Sequence, residues 1–395
     1  MAGIYNCDWF SFTADFTRYN PRESELDKRN ALNPDENKHL SRLFDALDAE
    51  REKEDSSGFI DLGLWKFRVY GHGNRSFYYL LENDDMELYL MRWRSKKQEN
   101  FPVYVHFKSQ YLWGDIYGTK TLRQKFDLVI EWLQDVLNGK YIESKINRCD
   151  LAYHTDVLPD PYDAEYFVGA HTLDTTRRTH RVVSAIDIGS RRSEKLFFRS
   201  YNKWLEIRAK KKEWFTDIWI HHGLNVRHVW NCEFQMKREF FTETAISGRY
   251  LDSAEDVIEK QAAIWMYLTK QWVSYRIPDN DRRSRWSIHP WWIDLSNYEE
   301  CKDKVSRGKQ RTLPTTNAIV PGLRGHLTAY AARTGDSLDG TLLDRLLADL
   351  REYDERTGRN FEETVEEKRR LIDPEDETDE MKESRGNGSL KGLEN

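Results

Sequence analysis

Alternation of apolar and polar residues in two short segments, 148–156 and 231–237, constrains the fold more than any other feature of the chain. Successive side chains of a β-strand point to opposite faces, so each segment predicts a strand with one apolar and one polar face. The apolar faces carry Cys149, Leu151, Tyr153, Cys232, Phe234 and Met236. The polar faces carry Arg148, Asp150, His154, Asp156, Glu233, Gln235 and Lys237. Antiparallel sheets commonly have such a packed face and a polar face.

Other segments add strands and helices around this sheet. Aromatic and branched residues favour strands over 64–70, 76–82, 86–93 and 103–107, separated by turn formers. Apolar spacing predicts helices over 119–137 and 253–275, and a further helix is expected around 163–171. The predicted class is α+β, an antiparallel β-sheet with flanking helices that carries the active site on one face.

The chain is long enough for two domains or one elaborated domain. We expect one region over residues 1–300, which can divide into β-rich halves at about 1–140 and 141–300. Residues 301–361 indicate a linker and a small helical module with a leucine stripe. Residues 362–395 carry twelve acidic and six basic side chains and predict a disordered acidic tail.

Charge is distributed unevenly along the chain. The formal net charge is −6, and the tail alone contributes −6, so the rest is near neutral. Residues 177–212 contain twelve Lys or Arg against three Asp or Glu. Such a local basic excess is what a phosphate-binding patch requires. The aromatic share of 13% suits either base-stacking surfaces or an aromatic core, and the core is the default interpretation.

The four cysteines form no C-x-x-C pair, which favours buried thiols in a reducing cytosol. The chain contains no apolar run approaching about 18 residues and no signal-peptide pattern at its start. We therefore expect a cytoplasmic protein that neither spans a membrane nor leaves the cell by that route.

A tyrosine lies between two cations in the segment 196–203. Strand spacing would place Arg199, Tyr201 and Lys203 on one face. A tyrosine hydroxyl flanked by cations suits attack on a phosphodiester, because the cations can hold the phosphate and stabilise a phenolate whose free pKa is about 10. The alternative is a partly buried tyrosine beside two solvated cations.

The polar faces supply candidate metal ligands. If the strands of Asp150, Glu233 and Tyr201 lie in one sheet, two carboxylates and His154 would surround the tyrosine. Carboxylates with an imidazole suit Mg²⁺ or Mn²⁺, which can polarise a phosphate. The alternative is a solvated sheet face that is charged for no catalytic reason.

Two further segments are candidate DNA contacts. The loop 189–193 contains Arg191 and Arg192 and could bind a phosphate, or it could be a simple charged hairpin tip. Arg285 and Trp286 belong to a basic and aromatic stretch that is a candidate surface for nucleic acid.

An ordered set of motifs resembles the signature of the Rep-trans replication initiators. Residues 188–193 read IGSRRS and residues 198–206 read FRSYNKWLE. Asp8 and Trp9 with Thr13 resemble the family's opening strand. The remaining matches are R-x-D-x-A at 148–152, E-x-Q-x-K at 233–237, and Arg285-Trp286 followed by Trp291-Trp292. The resemblance covers about residues 7–294, three quarters of the chain.

This resemblance implies a nicking and closing enzyme of rolling-circle plasmids, filamentous phages or conjugative elements. Tyr201 would attack a phosphodiester at an origin, forming a 5′-phosphotyrosyl link and a free 3′-OH, with Arg199 and Lys203 neutralising charge. Asp150 and Glu233 would hold Mg²⁺ or Mn²⁺, and His154 occupies the position of the family's second acid. The implied partners are origin DNA, a host helicase and, in one possible assembly, a second copy of the chain. The implied DNA contacts are Arg148, Arg191, Arg192, Gln235, Lys237, Arg285 and Trp286.

Two rival functions remain open at this point. A non-catalytic protein that binds an origin or single-stranded DNA could use the same basic and aromatic surface, and it predicts binding without a protein-linked strand. A tyrosine recombinase would need separated Arg and His residues around a C-terminal tyrosine, whereas Tyr201 is central.

Overall fold

The computed structural model describes residues 3–17, 19, 38–53, 58–74, 76–92, 101–114, 120–169, 174–179, 181–190, 195–297, 302–307, 316–337, 340–358, 360–362 and 364–365. The chain divides into two compact units, Met1–Gly308 and Lys309–Asn395. Within these described ranges, no helix is both long enough and apolar enough to cross a lipid bilayer.

The strands of the first unit are β1 (Gly3–Phe16), β2 (Phe59–Asp61), β3 (Lys66–Val69), β4 (Tyr79–Glu82), β5 (Met86–Leu90), β6 (Val103–Phe107), β7 (Tyr141–Thr155), β8 (Phe167–Gly169), β9 (Asp174–Thr179), β10 (Val182–Ile188), β11 (Leu196–Asn202), β12 (Trp230–Lys237), β13 (Thr244–Ile246), β14 (Arg249–Tyr250), β15 (Val273–Ile277), β16 (Ser287–Ile288) and β17 (Val305–Arg307). Eleven of them form one sheet in the order β2-β3-β4-β5-β6-β1-β7-β12-β11-β10-β9. Every pairing in this sheet is antiparallel.

The helices are α1 (Lys38–Arg51), α2 (Ser109–Trp113), α3 (Leu122–Leu137), α4 (Lys203–Lys210), α5 (Phe215–His221), α6 (Arg238–Thr242), α7 (Ala254–Glu259), α8 (Gln261–Tyr267), α9 (Pro290–Ser296), α10 (Thr316–Thr334) and α11 (Gly340–Thr357). The predicted α+β class, with an antiparallel sheet and flanking helices, is confirmed.

One face of the sheet is apolar and covered by helices. On one half, the Phe126 ring of α3 contacts Phe12 of β1 at a centroid distance of 5.0 Å. On the other half, Trp265 of α8 meets Phe234 of β12 edge-on at 5.4 Å. Because both halves bury the same face, the opposite face of the central strands is left for polar side chains.

Helix α3 begins where the sequence indicates. The Thr121 side chain accepts a hydrogen bond from the backbone of Gln124, whose side chain in turn accepts one from the Thr121 backbone. This reciprocal capping satisfies two donors that the first turn of a helix otherwise leaves unpaired. The left-handed Asn138 ends the helix, as the predicted Asn-Gly stop requires.

Two helix predictions are wrong. Around residues 163–171 the chain forms a short 3-10 turn, Ala164–Tyr166, and then β8. The segment 253–275 starts as a helix capped by Ser253, but it breaks between α7 and α8 and widens into a π-turn at Leu268–Trp272. It then continues as β15, which pairs with β8. Tertiary pairing therefore overrides helix spacing at the end of this segment.

The second unit is described by α10 and α11. Helix α11 carries the leucine stripe, and α10 precedes it. Leu343, Leu347 and Leu350 of that stripe are exposed. The predicted domain boundaries stay predictions, and most of the predicted acidic tail lies outside the described residues.

Candidate active site

The three polar strands lie side by side in the centre of the large sheet. Strand β12 is paired with β7 on one side and with β11 on the other. The register sets Gln235 opposite Asp150, and Glu233 opposite Arg199. Tyr201 lies opposite Asn231, one step along the same face from Glu233. The sheet therefore places Tyr201, Glu233 and Asp150, which come from three separate segments, on one face.

The Tyr201 hydroxyl is enclosed by polar groups. It receives hydrogen bonds from Lys203 Nζ and Asn231 Nδ2, each at 3.0 Å. The hydroxyl also lies 3.3 Å from Glu233 Oε2, which accepts a hydrogen bond from the same Asn231 Nδ2. The residue is only 5% exposed, and burial raises the pKa of Tyr201 well above its ordinary value, although Lys203 acts in the opposite direction. Two donors are thus aimed at the atom that would carry negative charge in a phenolate.

Lys203 reaches the phenol from a helix, so the prediction that it continues the strand is wrong. Strand β11 ends at Asn202, whose side chain accepts a hydrogen bond from Leu205 N and caps α4. The Lys203 side chain is buried, with Nζ 3.0 Å from Glu206 and 3.4 Å from Asp8. Burial by itself favours the neutral amine and lowers the pKa of Lys203. The nearby carboxylates outweigh burial and hold this pKa well above its ordinary value. Lys203 is therefore a fixed cation beside Tyr201.

Asp8 joins the cluster through a β-bulge that the alternation in β1 does not reveal. The register passes from Cys7 opposite Leu151 to Trp9 opposite Asp150, so Asp8 is the extra residue. Burial opposes ionisation of Asp8. Lys203 and the other positive groups nearby outweigh burial, so the pKa of the Asp8 carboxyl is lowered. Asp8 Oδ1 is buried and has no hydrogen-bond partner among the described residues.

Asp150 and Glu233 compete for a single proton. Arg148 Nε donates to Asp150 Oδ1 at 2.8 Å, and a hydrogen bond also links Asp150 with Glu233. Burial raises the pKa of Glu233 to about 8, and the nearby charges of Asp150 and Asp8 add to the effect. Burial raises the pKa of Asp150 as well, against the attraction of Arg148. At neutral pH the pair is stable with one proton shared between the two carboxyl groups.

His154 is buried among aromatic rings, at the end of the polar face that α2 and α5 cover. Its ring stacks on Trp113 at a centroid distance of 4.2 Å, and Trp219 Nε1 donates to His154 Nδ1 at 3.1 Å. Burial, with Lys203 nearby, lowers the pKa of His154 to about 3, so the imidazole is neutral. An indole N–H can only donate, so Nδ1 accepts and the ring proton lies on Nε2.

The donor set fits a hard divalent cation only in part. Asp150 and Glu233 supply carboxylate oxygens whose mutual repulsion a cation would relieve. His154 fits poorly, because a metal at Nε2 would displace the proton that the Trp219 hydrogen bond fixes there. Within the part of the chain that the structure describes, no three His, Cys, Asp or Glu side chains are arranged to hold a metal ion. The metal roles of these three residues stay predictions.

Arg199 contacts the tyrosine at its ring and not at its hydroxyl. The guanidinium lies 4.2 Å from the centroid of the Tyr201 ring. Its Nε is 3.5 Å from Asp187 on β10, the carboxylate that faces Arg199 across the strand pair. Arg199 therefore covers the phenol ring and presents charge beside it, while Lys203 is the cation at the Tyr201 hydroxyl.

The predicted DNA contacts divide into three groups. Arg148, Gln235 and Lys237 lie on the same face as Tyr201, and Arg148 is stacked over Trp9 at 4.2 Å. Arg191 and Arg192 lie outside the described residues. Arg285 and Trp286 lie in a turn before β16, which belongs to the small sheet of β8, β15 and β16. No contact described for that turn joins it to Tyr201.

Asn231 is a site residue that was not predicted from the sequence, although the alternation in its own strand includes it. It stands two positions before Glu233 and shares its face, and its Nδ2 also donates to Glu233 Oε2 at 3.0 Å. The alternation that identified Glu233, Gln235 and Lys237 extends to it without change.

No family model and no curated protein sequence matches the chain. Among solved structures, a rolling circle replication initiator protein from Geobacillus stearothermophilus is similar over 74% of this chain and 95% of that chain. The identity is 12% and the TM-score is 0.39, so neither fold nor function is inferred from that likeness.

Proposed function

We propose that the protein nicks and rejoins one DNA strand, with Tyr201 as the nucleophile. The observation that carries this proposal is the convergence of two donors, Lys203 and Asn231, on the Tyr201 hydroxyl at 3.0 Å, with Glu233 Oε2 at 3.3 Å from the same oxygen. A structural tyrosine needs one hydrogen-bond partner, whereas a phenolate nucleophile needs several donors and a nearby proton acceptor.

The reaction can be written from this chain's own groups. The Tyr201 oxygen attacks the phosphorus, the bond from phosphorus to the 3′ oxygen breaks, and the 3′ oxygen takes a proton from solvent. The phenol proton passes to Glu233 Oε2, which lies 3.3 Å away, while the proton that the pair shares lies on Asp150. A pKa of about 8 suits a base that works near neutral pH. Lys203 and Asn231 stabilise the developing phenolate, and Arg199 supplies charge for the phosphate.

The predicted Mg²⁺ or Mn²⁺ would be held by Asp150 and Glu233. His154 is not included among the ligands, because its Nδ1 accepts from Trp219 and its Nε2 therefore carries the ring proton. When bound, such a cation would polarise the phosphate. A bound cation would take the place of the proton that Asp150 and Glu233 share.

The biological role proposed for this chemistry is initiation of rolling-circle replication. It is supported by the ordered motifs between residues 7 and 294, from the opening strand to Trp291-Trp292. The phosphotyrosyl link conserves the energy of the phosphodiester bond, so the strand can be rejoined without ATP. Origin DNA is the substrate that this role requires, and a host helicase and a homodimer stay predictions.

The test is covalent capture of DNA. The protein is incubated with Mg²⁺ or Mn²⁺ and with labelled single-stranded oligonucleotides that tile the DNA flanking its gene, and then denatured. We expect an adduct that holds the fragment on the 3′ side of the nick through its new 5′ phosphate, and that is absent in Tyr201→Phe, which keeps the ring but lacks the attacking oxygen. An adduct of the same yield in Tyr201→Phe would contradict the assignment.

A non-catalytic DNA-binding protein is the second candidate, and the burial of Tyr201 with its raised pKa is the observation that favours it. In that case wild type and Tyr201→Phe bind the same oligonucleotides equally and neither forms an adduct with any of them. Binding without an adduct across the full set of tiles and both cations would decide for this candidate.

A further inference from the structure

A cavity opens on the polar face, at the opposite end of the long strands from Tyr201. Its volume is about 620 Å³, within the range of ligand pockets. The cavity is lined by Thr13, Asn74, Ser76, Phe77, Tyr89, Phe101, Tyr104, Lys145, Asn147 and Arg238. None of these residues belongs to the site around Tyr201.

The floor of this cavity is a row of facing residues across four neighbouring strands. Tyr89 of β5 is opposite Tyr104 of β6, which is opposite Thr13 of β1, which is opposite Lys145 of β7. Thr13 is four residues after Trp9 on β1, so the two share a face, and Trp9 is opposite Asp150. The cavity therefore lies on the same face as the candidate active site.

Aromatic rings form one side of the cavity. The Tyr89 and Tyr104 rings meet edge to face with centroids 5.3 Å apart, and Phe77 lies 6.0 Å from each. All three side chains are partly exposed. Partly exposed aromatic rings on a sheet can serve as stacking platforms for nucleic acid. Every base can stack on such a ring, because every base has a π-face.

The other side of the cavity supplies charge and an unpaired acceptor. Lys145 Nζ lies 4.6 Å from the Phe101 ring and has no ion pair among the described side chains. Asn147 Oδ1 is buried and lacks a hydrogen-bond partner in the part of the chain that the structure describes. Arg238 is committed to the wall, because its Nη1 donates to the carbonyls of Ile146 and Asp252.

We propose that this cavity binds a nucleotide of a single DNA strand that also crosses the candidate active site. The rings would stack on the base, Asn147 would accept a hydrogen bond from the base edge, and Lys145 would contact a phosphate. The inference rests on the proposed function for the identity of the strand. Lys145 is nine residues before His154 on β7, so at about 3.3 Å per residue the two ends of the track lie roughly 30 Å apart.

Arg148 and Trp9 lie between the two ends of this track. The Arg148 guanidinium covers the Trp9 ring, which also stacks on His106 with centroids 3.5 Å apart. The Arg148 guanidinium also pairs with Asp150, so this stretch of the face presents an aromatic ring and a cation that is partly neutralised. A strand held at both ends would pass over a surface that carries a cation for its phosphates.

The test measures binding and needs no cleavage. Fluorescence anisotropy follows a labelled oligothymidine of about 16 nucleotides, long enough to reach both ends of the track. Tyr89→Leu should weaken binding roughly fivefold or more, because it removes one stacking ring. Lys145→Gln should reduce the slope of log affinity against log salt concentration by about 0.7, the value for one phosphate contact on a single strand.

Matched controls lie on the other side of the sheet. Tyr267→Leu removes a partly exposed tyrosine of α8, and Lys270→Gln removes an exposed lysine of the following π-turn. Both controls should bind as wild type does. Equal affinities for Tyr89→Leu and Tyr267→Leu, with thermal midpoints showing that both are folded, would overturn the proposal.

Photocrosslinking locates the bound strand directly. Oligonucleotides with bromodeoxyuridine at successive positions should crosslink to peptides of β5 or β6, and crosslinks confined to other strands would also overturn the proposal. These measurements fail independently of the proposed function. If Tyr89→Leu binds as wild type does, the cavity proposal fails, but the Tyr201 adduct is still expected. If no adduct forms, the proposed function fails, but crosslinks to β5 or β6 would still support the cavity proposal.

Discussion

At the residue scale, the shared proton of Asp150 and Glu233 makes stability depend on pH. The pKa of Glu233 is raised to about 8 in the folded protein from an ordinary value near 4.5, so the unfolded chain releases this proton at lower pH. Folding stability is therefore greatest below pH 4.5 for this group and falls as pH rises toward 8. The expected loss is at most about 5 kcal/mol, at about 1.4 kcal/mol per pKa unit.

The variant Glu233→Gln isolates this effect, because the amide cannot ionise but keeps the shape and one acceptor oxygen. We expect urea unfolding to show a free energy that falls between pH 5 and pH 8 in wild type and falls much less in Glu233→Gln. Parallel pH dependence in the two proteins would mean that Glu233 is not the group that holds the proton.

Residue types were easier to predict than their surroundings. Tyr201, Glu233 and Asp150 follow from alternation within their own strands, which is a local property. The Trp113 and Trp219 contacts that bury His154 come from α2 and α5, elements far from His154 in the sequence. Whether an imidazole is a metal ligand or a buried hydrogen-bond acceptor depends on such contacts, so the spacing of β7 alone could not decide it.

At the element scale, the start of α4 determines where Lys203 lies. Asn202 ends β11 and caps α4 at 3.1 Å to Leu205 N, which places Lys203 and Glu206 in the first helical turn. Asn202→Ala should cost about 1 kcal/mol of unfolding free energy, the usual cost of losing a cap. It should also slow adduct formation, because the fraying turn carries the cation at the Tyr201 hydroxyl.

Thr121→Ala is the control for this prediction, since it removes the cap of α3, which contributes no group to the site. A similar loss of stability without a slower reaction is expected there, and Asn202→Asp, which keeps a capping oxygen, should restore the rate. An equal slowing in Asn202→Ala and Thr121→Ala would show that the effect comes from general destabilisation.

Element boundaries also show where local pattern is insufficient. The bulge that turns Asp8 toward Lys203 adds one residue to β1, and a strict period of two would place that carboxylate beside Phe10 and Phe12. The π-turn at Leu268–Trp272 likewise ends a helix whose spacing continues. In both places pairing with a distant strand determines the geometry, and that pairing is invisible within a short segment.

At the scale of the whole molecule, the proposed chemistry and the proposed strand track lie entirely within Met1–Gly308. Among the described residues, the groups that contact the Tyr201 hydroxyl and those that line the cavity beside Lys145 all come from this unit. A protein ending at residue 308 should therefore unfold in one cooperative transition and form the Tyr201 adduct at a rate within about twofold of the full chain, a difference below roughly 0.5 kcal/mol. Circular dichroism during urea unfolding and the adduct assay measure the two properties separately. A truncated protein that folds but forms no adduct would place an essential function in residues 309–395, and the leucine stripe of α11 would then be the first surface to substitute.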